Sequence, residues 1–159
     1  ELFENHPIDA FRNDQSLLNE AITRAIRVKA DVVERDERES GERRKLNLGH
    51  TFAHAIEKCG NEFLHGEAVA IGTVMIARLS AHLGTATQDE ADRVRRVFER
   101  MGLPIRTEID FKRLVKALKH DKKKEADSVS FVLLRGIGDC EIRRFTFDEI
   151  DRLPDPAAE

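Results

Sequence analysis

Apolar positions recur at helical spacing from Gln15 to about Arg35, where Leu17, Leu18, Ala21, Ile22, Ala25, Ile26 and Val33 share one side. Ser16 is placed to cap that helix, because its hydroxyl can accept an orphan backbone N–H. The run from Glu34 to Arg44 alternates in charge and holds a single glycine, so it reads as an exposed helix end and a loop. A second helix is expected over Leu48 to Cys59, stopped by Gly60. A third runs from Leu64 to Leu83 and stops at Gly84; its middle, Ala68 to Ala77, is apolar on every face, as in a helix surrounded by others.

Thr87 and Glu90 form a capping box for a fourth helix that reaches Met101 and ends at Gly102. Phe111, Leu114, Val115 and Leu118 mark a short amphipathic fifth. The texture then changes: Val129, Phe131 and Leu133 alternate with Ser130 and Val132, Gly136-Ile-Gly138 follows, and Cys140 to Phe145 completes a β-hairpin. Thr146 and Glu149 cap a last short helix, and Pro154 and Pro156 open a frayed tail. The expected fold class is mainly α: a helical bundle with a small C-terminal β-hairpin, with residues 1–159 forming one domain.

Composition narrows the partners. The 159 residues are 40% hydrophobic and 36% charged, with 27 Lys+Arg against 30 Asp+Glu, so no polybasic field argues for nucleic acid. No apolar run approaches the roughly 20 residues of a membrane span. The densest stretch, Ala68 to Ile76, is short and is followed by Arg78. No basic and apolar leader is visible, and two cysteines 81 positions apart make neither a zinc knuckle nor a disulfide framework. A soluble, reducing, cytoplasmic setting is expected, with Cys59 and Cys140 as small core residues. The chain opens on Glu1 rather than Met, so it is expected to be a processed or excised piece of something longer.

Chemistry concentrates in three of the six histidines, which fall within 16 residues. His50 and His54 are four apart on one expected helix and project from the same face, while His65 precedes the buried helix in Leu64-His-Gly-Glu67. Thr51 stands where a His-Glu-x-x-His protease has its base, so that chemistry is excluded. Arg43 and Asn47 lie just upstream. A helix reaching back that far would align them with the histidines, giving a guanidinium fork, a neutral donor and proton shuttles around an oxygen-rich anion. Arg44 and Lys45 read instead as part of a solvated charge run.

The segment Arg43-Arg-Lys-Leu-Asn-Leu-Gly-His-Thr-Phe-Ala-His-Ala-Ile-Glu57, followed by Leu64-His-Gly-Glu-Ala-Val-Ala-Ile-Gly72, resembles the signature of the 3-dehydroquinate synthase family of sugar-phosphate cyclases. Lys29-Ala-Asp-Val-Val, Asp36-Glu-Arg-Glu-Ser-Gly41, Asp121-Lys-Lys123 and the hairpin agree in order and spacing. The resemblance implies that His50 and His65 are ligands of zinc or cobalt, and that His54 is a catalytic group beside the metal, near the substrate's phosphate. It implies that Lys29, Arg43, Asn47 and Lys122 hold the substrate's carboxylate, hydroxyls and phosphate, with Lys123 and Lys124 solvated.

The implied reaction turns 3-deoxy-D-arabino-heptulosonate 7-phosphate into 3-dehydroquinate and phosphate, in the shikimate pathway to aromatic amino acids. It proceeds by NAD- and metal-dependent oxidation, phosphate elimination, reduction and aldol cyclisation. Two departures stand out. Ala53 occupies a position where the family usually has Gly. In addition, the α/β domain that binds NAD and supplies a third metal ligand, a glutamate, has no counterpart ahead of Gln15, and neither Glu1 nor Glu4 matches that ligand.

The chain is therefore expected to be the metal- and substrate-binding C-terminal half of an enzyme that is homodimeric when complete, and to be inactive alone. The competing readings are another cyclase, making an amino-dehydroquinate, inosose or valiolone; a metal-dependent polyol dehydrogenase of related architecture; and a non-catalytic helical module.

Overall fold

A computed structural model describes residues 1–38, 41–60, 62–122 and 127–157, with Asp121 and Lys122 as backbone only. Helices α1 (Leu2–Asn5) and α2 (Ile8–Asn13) precede the long α3 (Gln15–Arg35). A 3₁₀ helix, Glu42–Asn47, leads into α4 (His50–Cys59), α5 (His65–His82), α6 (Gln88–Arg100) and α7 (Phe111–Lys122). Strands β1 (Ser128–Leu134) and β2 (Cys140–Thr146) pair antiparallel, with Ser130 opposite Arg144 and Phe131 opposite Arg143, and α8 (Phe147–Asp151) follows. Among the described residues the chain is mainly helical with one two-stranded hairpin near its end, as the apolar pattern predicts.

The core lies where α4, α5, α7 and the hairpin meet. Phe52 and Phe131 are fully buried with ring centroids 5.4 Å apart, and Phe145 closes on Phe131 at 5.5 Å. Helix α5 buries residues around its whole circumference, from Ala68 through Ser80, as expected for a helix without a polar face. Ser80 is fully buried and fully bonded: its hydroxyl donates to the Ile76 carbonyl and accepts from Leu134 N–H, tying α5 to β1. Both capping boxes form, Thr87 with Glu90 and Thr146 with Glu149. These bonds hold both carboxyls below the usual range, mainly through the backbone N–H of each threonine.

A close backbone approach joins α4 to α5. A Cβ on Gly72 would stand 2.2 Å from the Gly49 carbonyl oxygen and 3.0 Å from the Ala53 nitrogen. Gly49, at φ 81°, starts α4 from the left-handed region, and a Cβ there would meet Thr73 Oγ1 at 2.3 Å. Ala53 is itself fully buried, so a methyl fits at that position while none fits on the facing Gly72.

Several local expectations are corrected. The cap of α3 is Asp14, whose carboxylate accepts from Ser16 N–H at 2.8 Å and Leu17 N–H at 3.1 Å; Ser16 already lies inside the helix. None of the 21 residues of α3 is buried; Ile22 and Ile26 of the predicted apolar side face outward, and Val28 is exposed as well. The second helix starts at His50, and the stretch before it is 3₁₀ rather than α. The two N-terminal helices carry no repeat long enough to show in the apolar pattern. The tail is docked rather than frayed as far as Ala157: Pro156 is buried, its carbonyl accepts from Arg78 at 3.3 Å, and Leu153 and Ala157 pack on the core.

Candidate functional site

Helix α4 divides into two faces. Phe52, Ala53, Ala55 and Ile56 turn into the core, and His50 and His54 stand on the opposite side. His65 opens α5 beside them. Ring centroids are 5.9 Å apart for His50 and His54, 5.6 Å for His50 and His65, and 6.4 Å for His54 and His65. The three imidazoles named from the sequence therefore converge.

Their tautomers follow from their partners. His50 Nδ1 lies 3.2 Å from the Leu48 carbonyl and His65 Nδ1 lies 2.8 Å from Glu57 Oε1. A carbonyl and a carboxylate only accept, so each Nδ1 carries a proton, and Nε2 is the nitrogen left to each ring as a ligand atom. Two imidazoles on one tetrahedral divalent ion have centroids about 5 Å apart, given Zn–N bonds near 2 Å. The His50–His65 spacing fits that donor set. Among the described residues no group of three His, Cys, Asp or Glu side chains is placed to hold a metal ion by itself.

Beside the histidines lies a cavity of about 530 Å³, the size of a small-molecule site. Its walls include Arg44, Asn47, His50, Thr51, His54, Lys58, Ser128, Ser130 and Arg144. The cations come from three separate elements. Arg44 sits on the 3₁₀ helix, Lys58 on α4, and Arg144 on β2, where its Nε donates to Ser128 Oγ at 2.7 Å. Thr51 Oγ1 donates to the Ser130 carbonyl at 3.4 Å, joining the helix wall to the hairpin wall.

The other residues named from the sequence are placed as follows. Arg43 is not among the cavity walls: its backbone N–H donates to Asp36 Oδ2 at 3.0 Å and its guanidinium to the Glu37 carbonyl at 3.0 Å. Lys29 is exposed on α3, which packs along the 3₁₀ helix. The side chain of Lys122, with Lys123 and Lys124, lies outside the described residues.

Arg44 faces the cavity, against the expectation of a solvated charge. An α-helix would put residues four apart on one side, favouring Arg43 with Asn47, but three residues per turn align Arg44 with Asn47 instead. Arg144 and Lys58 carry no signal in the sequence, since only the packing of the hairpin on α4 brings them together. Both cysteines are partly buried, Cys59 against the main core and Cys140 against a smaller cluster, where burial pushes the Cys140 thiol up.

The family model for the 3-dehydroquinate synthase C-terminal domain matches residues 1–124. The chain belongs to that family. It is 45% identical over 138 residues to the 3-dehydroquinate synthase of Nitrosomonas europaea, an alignment covering 85% of this chain and 37% of the relative. It is 48% identical over 147 residues to that of Pseudomonas fluorescens, covering 87% and 39%. The chain thus spans about two fifths of the length of these synthases.

Among solved structures it is similar to 2-epi-5-epi-valiolone synthase from Streptomyces hygroscopicus subsp. jinggangensis, a protein with NAD+ and Zn2+ bound. That match has a TM-score of 0.73 and 28% identity, and covers 87% of this chain and 39% of the other. A 2-deoxy-scyllo-inosose synthase complexed with carbaglucose-6-phosphate, NAD+ and Co2+ shares the fold, with TM-score 0.69, 21% identity and coverage of 87% and 39%. The bundle-and-hairpin architecture is therefore that of the sugar-phosphate cyclases. Among the described residues no helix is long and apolar enough to cross a membrane.

Proposed function

We propose that this chain is the metal- and substrate-binding half of a cytoplasmic 3-dehydroquinate synthase, which converts 3-deoxy-D-arabino-heptulosonate 7-phosphate to 3-dehydroquinate and phosphate. The observation that carries the reading is the convergence of His50, His54 and His65 beside a cavity edged by Arg44, Asn47, Lys58 and Arg144. The relatives at 40–48% identity bear the dehydroquinate name, whereas the valiolone enzyme stands at 28%, which supports this branch over the other cyclases.

His50 and His65 would hold zinc or cobalt through Nε2, with a third ligand from a preceding NAD-binding α/β domain. When bound, the metal would supply Lewis acidity toward a substrate hydroxyl, and NAD would supply the capacity for hydride transfer. The rest falls to this chain. Arg44, Lys58 and Arg144 offer fixed positive charge to a doubly ionised phosphate, and Asn47 adds a neutral donor. Lys29, Arg43 and Lys122 would extend the same role to the substrate's carboxylate and hydroxyls, Arg43 and Lys122 from elements that border the cavity and Lys29 from α3, which packs along the 3₁₀ helix. His54 faces the cavity and moves a proton between its imidazole and the leaving phosphate group. The complete enzyme would be a homodimer.

Phosphate release tests the reading. Residues 1–159 alone should give no turnover, and the protein carrying both domains should be active. In that protein His50→Ala should lose metal and activity together, while His54→Ala should keep the metal and lose turnover. Normal metal content in His50→Ala, or full turnover in His54→Ala, would refute the assignment.

A further inference from the structure

Glu57 has no place in the roles described so far, yet it makes the shortest polar contact to the histidine cluster. It sits three residues after His54 and seven after His50, on the same outward face of α4. From there it reaches His65 at the start of α5, with Oε1 2.8 Å from Nδ1. His65 is the more open partner of the pair, its side chain 60% exposed against 33% for Glu57. Packing alone therefore does not fix its ring. His50 differs, because its Nδ1 is already held by the carbonyl of Leu48 on its own chain segment.

We infer that Glu57 is the positioning residue of the metal site: its carboxylate locks His65 in the Nδ1–H tautomer and aims Nε2 at the ion shared with His50. The inference rests on the metal reading above. Metal-bound imidazoles that donate their second nitrogen to a carboxylate are both oriented and made more basic by it, and losing such a partner weakens metal binding by about 10–100-fold. His65 and His50 are thus held by different devices, one by a side chain and one by the backbone. Only the first can be removed by substitution.

The test uses the protein carrying both domains, with Co2+ alone as probe, and two readouts. Nitrogen-15 NMR of the metal-free protein reads the tautomer of each histidine ring, and titration calorimetry reads Co2+ affinity. In the parent chain His65 should carry its proton on Nδ1. Glu57→Ala should abolish that preference at His65, leave His50 unchanged, and weaken Co2+ binding by about 10–100-fold. Glu57→Gln keeps an accepting oxygen without charge, so it should restore the tautomer and recover part of the affinity.

An unchanged His65 tautomer in Glu57→Ala, or Co2+ affinity within about twofold of the parent, overturns the inference. Circular dichroism of both variants confirms that the helices persist, and if the Ala variant fails to fold, Glu57→Leu, which keeps an apolar stem and likewise offers no acceptor, decides by the same two readouts. Affinity that survives His50→Ala refutes the metal reading and this inference with it; where His50→Ala abolishes binding, a failed Glu57 arm refutes the inference alone.

Discussion

Replacing Gly72 by Ala perturbs the fold and the site through one contact. The new methyl would stand 2.2 Å from the Gly49 carbonyl oxygen, and ordinary contact begins near 3.4 Å, so α4 and α5 must separate by about 1 Å. The obstacle is backbone on a helix packed across its whole inner face, and no side chain can swing aside. Overpacking of this kind costs about 1–3 kcal/mol, and a backbone obstacle points to ~3. At this chain length that corresponds to a fall in Tm of about 6–12 °C.

The site should respond as well, because His50 and His54 ride on α4 and His65 on α5. Gly66→Ala supplies the control. It is the same substitution in the same helix, yet a Cβ there meets nothing within 4 Å, so it should stabilise by about 0.5–1 kcal/mol through helix propensity. Thermal unfolding followed by far-UV circular dichroism reads both variants, and Co2+ titration reads the site. A Tm for Gly72→Ala within about 1 °C of the parent, or equal shifts in the two variants, would refute the spacing argument.

Two other outcomes follow from the packing. Ser80→Ala leaves the Leu134 N–H without its buried acceptor and should cost about 1–3 kcal/mol in urea unfolding with an unchanged m-value. Arg93 donates to both carboxylate oxygens of Glu4, one of them at 2.7 Å, and this holds the Glu4 pKa at about 2 from 4.5. A depressed folded-state pKa adds stability above the unfolded value and loses it as the group protonates. The Tm difference between the parent and Glu4→Gln should therefore be constant above about pH 5 and vanish by about pH 2. A difference that persists at the acid end would show that the bond acts through shape rather than charge.

The helices legible in the sequence are those whose signals are local. Thr87 with Glu90 and Thr146 with Glu149 each place both halves of a capping box within four residues, and both boxes form. Alternation over Val129 to Leu133 needed only a glycine turn to become a hairpin. Where competing local signals lay side by side, the choice was less legible. Asp14 and Ser16 are both good caps two residues apart, and the carboxylate that reaches two N–H groups takes the position. The reach-back from His50 failed because Gly49 enters the left-handed region and the residues before it tighten to three per turn, which turns Arg44 rather than Arg43 toward Asn47. Pro154 and Pro156 marked the end of regular structure correctly but said nothing about docking, which depends on Arg78 far away in the chain.

By itself the sequence determined the mainly helical fold, the hairpin and the three histidines, because spacing along a helix or strand decides which residues share a face. Tertiary structure alone decided that His65 meets His50, that Glu57 reaches His65, and that Arg44, Lys58 and Arg144 edge one cavity. Those pairs lie on different elements, and their distances are fixed by how closely α5 approaches α4 at Gly72 and how the hairpin leans on both, a matter of packed volume that no one-dimensional period encodes.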